Sequence, residues 1–174
     1  MSNSPGGRRI LPPMIRRSLL AAALASAAVP ASAQRDALGI YGSWGAFRDP
    51  GRCFAIAEPD RPERDGARPF AAVSWWPGRG IRGQLHLRLG QPKRAGSALL
   101  LRIDERTFQL RGGGADAWAP DSAADAEIVA AMRSGIAMSV ETRAASGAII
   151  RDSYPLRGAA TAIDAAAIAC ARRG

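Results

Sequence analysis

The chain has 174 residues, with 24 Lys and Arg against 15 Asp and Glu, a formal net charge of +9, and two cysteines. That length suits one domain with one core and excludes a multidomain machine. The positive charge favours anionic partners. The sequence carries no zinc-finger spacing, no aromatic-rich RNA-binding signature and no long basic helix, so nucleic acid is not the expected partner.

The first predicted element is an export signal. In MIRRSLLAAALASAAVPASAQ, Arg16 and Arg17 supply the positive start and Leu19 to Val29 the apolar stretch, and Ala31-Ser32-Ala33 forms a small-x-small cleavage site. A membrane anchor would need about 20 apolar residues, and Pro30 ends this run well short of that. Residues 1–33 are therefore expected to be a signal peptide cut before Gln34, with residues 34–174 as one domain and no membrane span once the signal is gone. Met14 makes a better start than Met1, because MSNSPGGRRILPP is an unusual extension. The Arg16-Arg17 pair also admits a twin-arginine route, but no aromatic follows it, and ordinary secretion fits better. Without Arg8, Arg9, Arg16 and Arg17, 20 basic side chains face 15 acidic ones, and the charge falls to +5.

After the signal come short β-like runs. IYGSWGAF (residues 40–47) predicts a first strand, DPG (49–51) a turn, and RCFAIAE (52–58) a second strand with Phe54 and Ile56 on one face and Cys53, Ala55 and Ala57 on the other. PDRPERDGARP is a surface loop, and FAAVSWW a strand ending at Pro77. In GQLHLRL, Leu85, Leu87 and Leu89 alternate with Gln84, His86 and Arg88, one buried face and one wet. SALLLRI and RTFQL, joined at Asp104-Glu105, predict a hairpin that continues an antiparallel meander. RGGGADAWAP reads as a linker.

Two helices follow. Ser122 with Asp125 predicts a capping box, Ile128, Val129 and Met132 share a face, and Gly135 stands where the helix ends. IAMSVET and AIIRDSY form a further hairpin. GAATAIDAAAIACARR is an alanine-rich terminal helix with Ile163, Ala167 and Cys170 on one face.

In an oxidising compartment two cysteines suffice for one bridge, so Cys53 and Cys170 are expected to pair, pinning the last helix to the small face of an early strand. The alternative is two buried thiols.

The search for chemistry returns little. His86 is the only histidine and is expected on a solvated strand face, so no catalytic residue is assigned. One His and two paired Cys make no zinc set, and neither a metal nor a cofactor is expected. The acids Asp60, Glu63, Asp65, Asp104 and Glu105 fall in turns and form no singled-out pair for glycoside hydrolysis. Trp75 and Trp76 must face opposite sides of a strand. Arg79, Arg82, Arg88, Lys93 and Arg94, with Trp76 nearby, are the candidate anionic-ligand site, suited to lipopolysaccharide phosphates or acidic glycans if they share a face. The same residues also read as a solvated edge whose charges deter aggregation.

The order IVAAMRSGIAMSVET, then IIRDSYPLRGAATAIDAAA, with YGSWGAF before Cys53 and SALLLRI in mid-chain, resembles the invasion-associated locus B family of alphaproteobacterial envelope proteins. The resemblance covers most of residues 34–174. It implies a mainly β, immunoglobulin-like antiparallel β-sandwich with one inserted helix and a C-terminal helix, and a place in the periplasm or outer envelope. It also implies a non-enzymatic role toward an envelope or host protein. The chain departs from the family pattern in having no cysteine in RGGGADAWAP. Two alternatives from other classes are a small periplasmic hydrolase and a binder of anionic envelope glycans.

Overall fold

A computed structural model describes residues 35–61 and 68–171. The chain divides into two units, Met1–Ala31 and Ser32–Gly174. The expected signal peptide lies outside the described residues, as do Glu63 and Asp65 of the predicted loop.

The expected mainly β architecture of two antiparallel sheets, an inserted helix and a C-terminal helix is present. The first sheet begins with β1 (Asp36–Tyr41), β2 (Trp44–Asp49), β3 (Arg52–Ala57), β4 (Phe70–Trp76) and β5 (Ile81–Arg88), neighbours in chain order. This is a simpler path than the Greek key of an immunoglobulin sandwich. The single strand expected over 40–47 is in fact the end of β1, a turn and the start of β2. Gly42 makes that turn with φ +61, a left-handed conformation that favours glycine.

After β5 the chain crosses to the second sheet for β6 (Leu100–Ile103) and β7 (Arg106–Gln109), so the expected meander breaks here. Alternation reveals that Leu85, Leu87, Leu101 and Ile103 each face apolar surroundings, but not whether two strands lie side by side or face to face. The chain then returns to the first sheet for β8 (Arg111–Gly113) and β9 (Asp116–Trp118), the latter paired with β5. That hairpin replaces the predicted linker. β8 is exposed throughout and is held by backbone pairing, which leaves no apolar pattern to read. The second sheet is completed by β10 (Ala137–Arg143) and β11 (Ile149–Pro155), the expected hairpin, in the order β11-β10-β6-β7.

Helix α1 (Ser122–Ser134) buries Ile128, Val129 and Met132 and packs on β5. Its N-cap is Asp121, whose carboxylate accepts from the Ala124 N–H at 2.9 Å, so the expected Ser122/Asp125 box is displaced by one residue. Asp125 turns inward and accepts from the backbone N–H of Leu85 at 2.8 Å. Gly135 does end the helix but at φ −80. A Cβ there would come within 2.9 Å of Ile103 Cγ2, so close packing requires the glycine.

Helix α2 (Ala159–Ala171) lies across β1 to β4, chiefly on β3. Its buried seam is Ala159, Ala162, Ile163, Ala166 and Cys170, with Ala167 beside it only half-buried. One core joins both sheets and both helices. At its centre Trp44 is fully buried, and its indole N–H donates to the Pro155 carbonyl at 2.9 Å, tying β2 to β11. Among the described residues no helix is long and apolar enough to cross a membrane.

Candidate functional site

Cys53 and Cys170 form the expected disulfide, with Cα atoms 5.8 Å apart, within the usual span for a bridge. The small side chains Ala55 and Ala57 on β3 and Ala162 and Ala166 on α2 let the two elements approach closely enough for that bond. Trp75 packs against the same cluster of Cys53, Ala166 and Cys170.

The candidate anionic-ligand residues do not form one patch. Arg79 lies in a 3₁₀ turn (Pro77–Arg79) between β4 and β5, with its guanidinium 5.5 Å from the Trp76 ring centroid. Arg82 is exposed and lines a cavity beside the disulfide. Arg88, at the other end of β5, is bound to Asp116 at 3.3 Å. Lys93 and Arg94 lie beyond β5: the Lys93 Nζ donates to the Arg94 carbonyl, and the Arg94 N–H donates to the Arg143 carbonyl. A strand rises about 3.3 Å per residue, so β5 holds the two ends of the set roughly 20 Å apart.

A different grouping emerges on the face of the first sheet turned away from α2. Cys53 faces α2, so its neighbours Arg52 and Phe54 face the other way. The Arg52 guanidinium lies 4.1 Å from the Phe54 ring centroid and 5.0 Å from that of Trp76. Phe54 stacks on Phe47 at 5.7 Å, and Arg35 covers Phe54 at 5.4 Å. With Arg79 on Trp76, a continuous row runs from Arg35, just before β1, to the β4–β5 turn: Arg35, Phe54, Arg52, Trp76, Arg79. Guanidinium over an aromatic face within about 6 Å is a cation–π contact.

Among the described residues one carboxylate serves this row. Asp49 accepts from Arg35 at 2.9 Å and from Arg52 at 2.8 Å, and the Arg35 hydrogen bond in particular holds its carboxyl below the ordinary range despite partial burial. Arg79 has no carboxylate within 4 Å among the described residues. Three guanidiniums against one carboxylate leave the row cationic, with planar donors positioned by the rings beneath them. Sequence reading identified Trp76 and Arg79 but missed Arg35, Arg52, Phe47 and Phe54. Their signal was parity: with Cys53 assigned inward, Arg52 and Phe54 had to share the outer face.

His86 is half-buried rather than simply solvated. Its Nε2 lies 2.9 Å from Asp116 Oδ1, its ring stacks on Trp118 at 5.1 Å with planes 4° apart, and Phe70 meets it edge-on at 5.1 Å. A His–Asp pair is two-thirds of a hydrolytic triad. Among the described residues no serine, threonine or cysteine side chain bonds this imidazole. Asp104 is likewise a structural acid: at φ +48 it accepts from the N–H groups of Ile136 and Ala137 and fixes the start of β10. Among the described residues there is no group of three or more side chains able to hold a metal.

No family model matches the chain, and no curated protein or solved structure matches it.

Proposed function

We propose that this chain is an exported, non-enzymatic binding protein of the cell envelope, resembling the invasion-associated locus B family, and that its outer row grips an anionic envelope glycan. The observation that carries the ligand class is the Arg35–Phe54–Arg52–Trp76–Arg79 row. Guanidinium forks match carboxylate and phosphate groups, and the aromatic rings beneath hold these forks in one row. The compartment rests on the leader sequence together with the Cys53–Cys170 disulfide, which persists where the surroundings are oxidising.

The test uses protein taken from the envelope of producing cells, where its intact mass must begin at Gln34 and show no free thiol. Binding to polygalacturonate, with neutral dextran as control, is then measured across a salt series. The expected result is binding to the acidic polymer alone, falling steeply with salt, and weakened about fivefold by Arg79→Gln. Equal binding of dextran, or affinity unchanged by salt, refutes the ligand class. A retained N-terminus with free thiols refutes the compartment.

A further inference from the structure

Beside the disulfide, on the α2 side of the first sheet, lies a cavity of about 500 Å³. Trp75, Pro77 and Ile81 line it from the β4–β5 hairpin, and Ala167, Cys170 and Ala171 from α2. Ligand pockets fall in this size range and combine apolar walls with a few placed polar groups. Among the described residues the one charged lining residue is Arg82.

Arg82 reaches this cavity through a local irregularity. Counting back from the inward-facing Leu85 and Leu87, strict alternation would send Arg82 outward with Gln84, His86 and Arg88. The pairing of β4 with β5 instead slips: Ser74 opposes Gln84, but Trp76 opposes Ile81, so β5 carries one residue more than β4 over this interval. Gly83 takes up the slip at φ +70. A one-residue shift moves a side chain to the opposite face, and bulges commonly re-aim side chains next to sites. Arg82 thus joins the apolar cavity and leaves the outer row. It has no carboxylate within 4 Å among the described residues.

Among the described residues, then, an apolar cavity carries one cation with no carboxylate partner, which matches a molecule with an alkyl tail and one anionic head. We propose that this cavity binds the chain of a fatty acid, with the carboxylate held by the Arg82 guanidinium. The site is separate from the outer row and does not depend on the glycan reading. The neighbouring C-terminus of α2 also favours a nearby cation, so Arg82 would have a merely structural role if it served only the helix. The test must distinguish the two.

Calorimetric titration of the oxidised protein with decanoate, decanol and decyltrimethylammonium, all below their aggregation concentrations, does so. Decanoate is expected to bind saturably at one site, decanol more weakly, and the cationic amphiphile least. Arg82→Gln should weaken decanoate about tenfold while leaving decanol unchanged, because only the carboxylate uses the charge. Ala167→Phe, which fills the cavity from a half-buried position, should weaken both and leave polygalacturonate binding intact. Absence of saturable binding, an equal loss for decanoate and decanol on Arg82→Gln, or no effect of Ala167→Phe overturns the proposal. Far-UV circular dichroism of each variant confirms that the fold being titrated is unchanged.

Discussion

Replacing both cysteines, as Cys53→Ala/Cys170→Ala, isolates what the disulfide contributes. The bridge joins residues 117 apart. The chain-entropy relation for a loop of that size gives about 5 kcal/mol at 25 °C, against a typical domain total of about 5–15 kcal/mol. Little of this is lost from native contacts. Ala159, Ala162, Ile163 and Ala166 keep α2 buried on β3, and new alanines at 53 and 170 match the alanines around them. The effect therefore arises mainly in the unfolded ensemble, which expands when the cross-link is removed. Urea titration followed by tryptophan fluorescence should show a midpoint lower by about 2 M and a larger m value. The melting temperature should fall by roughly 15 °C. A loss below about 1 kcal/mol with m unchanged would refute the reasoning, since it would mean that the unfolded chain stays compact without the bond.

Two further perturbations probe the frame. Gly158 has φ +90 and lies against the backbone of Tyr41 and Gly42, so that a Cβ would overlap the Tyr41 carbonyl oxygen, whereas Gly51 at φ +76 has open space around it. Gly51→Ala should cost about 1 kcal/mol, from backbone conformation alone. Gly158→Ala should cost more than about 3 kcal/mol in the same urea assay, because the β1–β2 turn must leave the start of α2; equal costs would refute the close approach. Burial raises Asp125 above its ordinary 3.8, against the lowering effect of the Leu85 N–H and with a small raising effect from Asp121. A carboxyl raised on folding binds its proton more tightly in the native state, so stability falls as pH rises from 3.8 through the folded value. Asp125→Asn keeps an acceptor for Leu85 and removes that loss. Its stability relative to the parent should rise across this window and level off above it; a difference constant with pH would show that Asp125 is not the titrating group.

Composition and alternation made the principal elements legible because side-chain burial repeats along them. Leu85, Leu87 and Leu89 identify β5, and Ile128, Val129 and Met132 identify the inner face of α1. Cys53 with Ala55 and Ala57 identified the strand on which a small-faced helix could rest. What alternation lacks is the third dimension. It could not separate β5 from β6 into different sheets, and it gave no sign of β8, where every side chain is exposed and only the backbone pairs. Asp125 shows the same limit on a smaller scale. Its position three residues beyond Ser122 fits a capping box, yet the neighbouring Asp121 can cap as well. The inward turn of Asp125 is explained by the Leu85 N–H on another element, which donates to its carboxylate.

The candidate site was legible as a density of arginine, and its division follows from two glycines. Gly80, at φ +67, closes the 3₁₀ turn that carries Arg79 to Trp76. Three residues later Gly83, also left-handed, accompanies the slip that directs Arg82 to the opposite face. A glycine inside a strand pattern often signals such a bulge, so GRGIRG did carry the information. Two cations three residues apart therefore serve different surroundings. One lies on a tryptophan among other guanidiniums, the arrangement proposed to engage a polyvalent anion. The other is, among the described residues, the one charge in an apolar wall, where the proposed carboxylate would neutralise it.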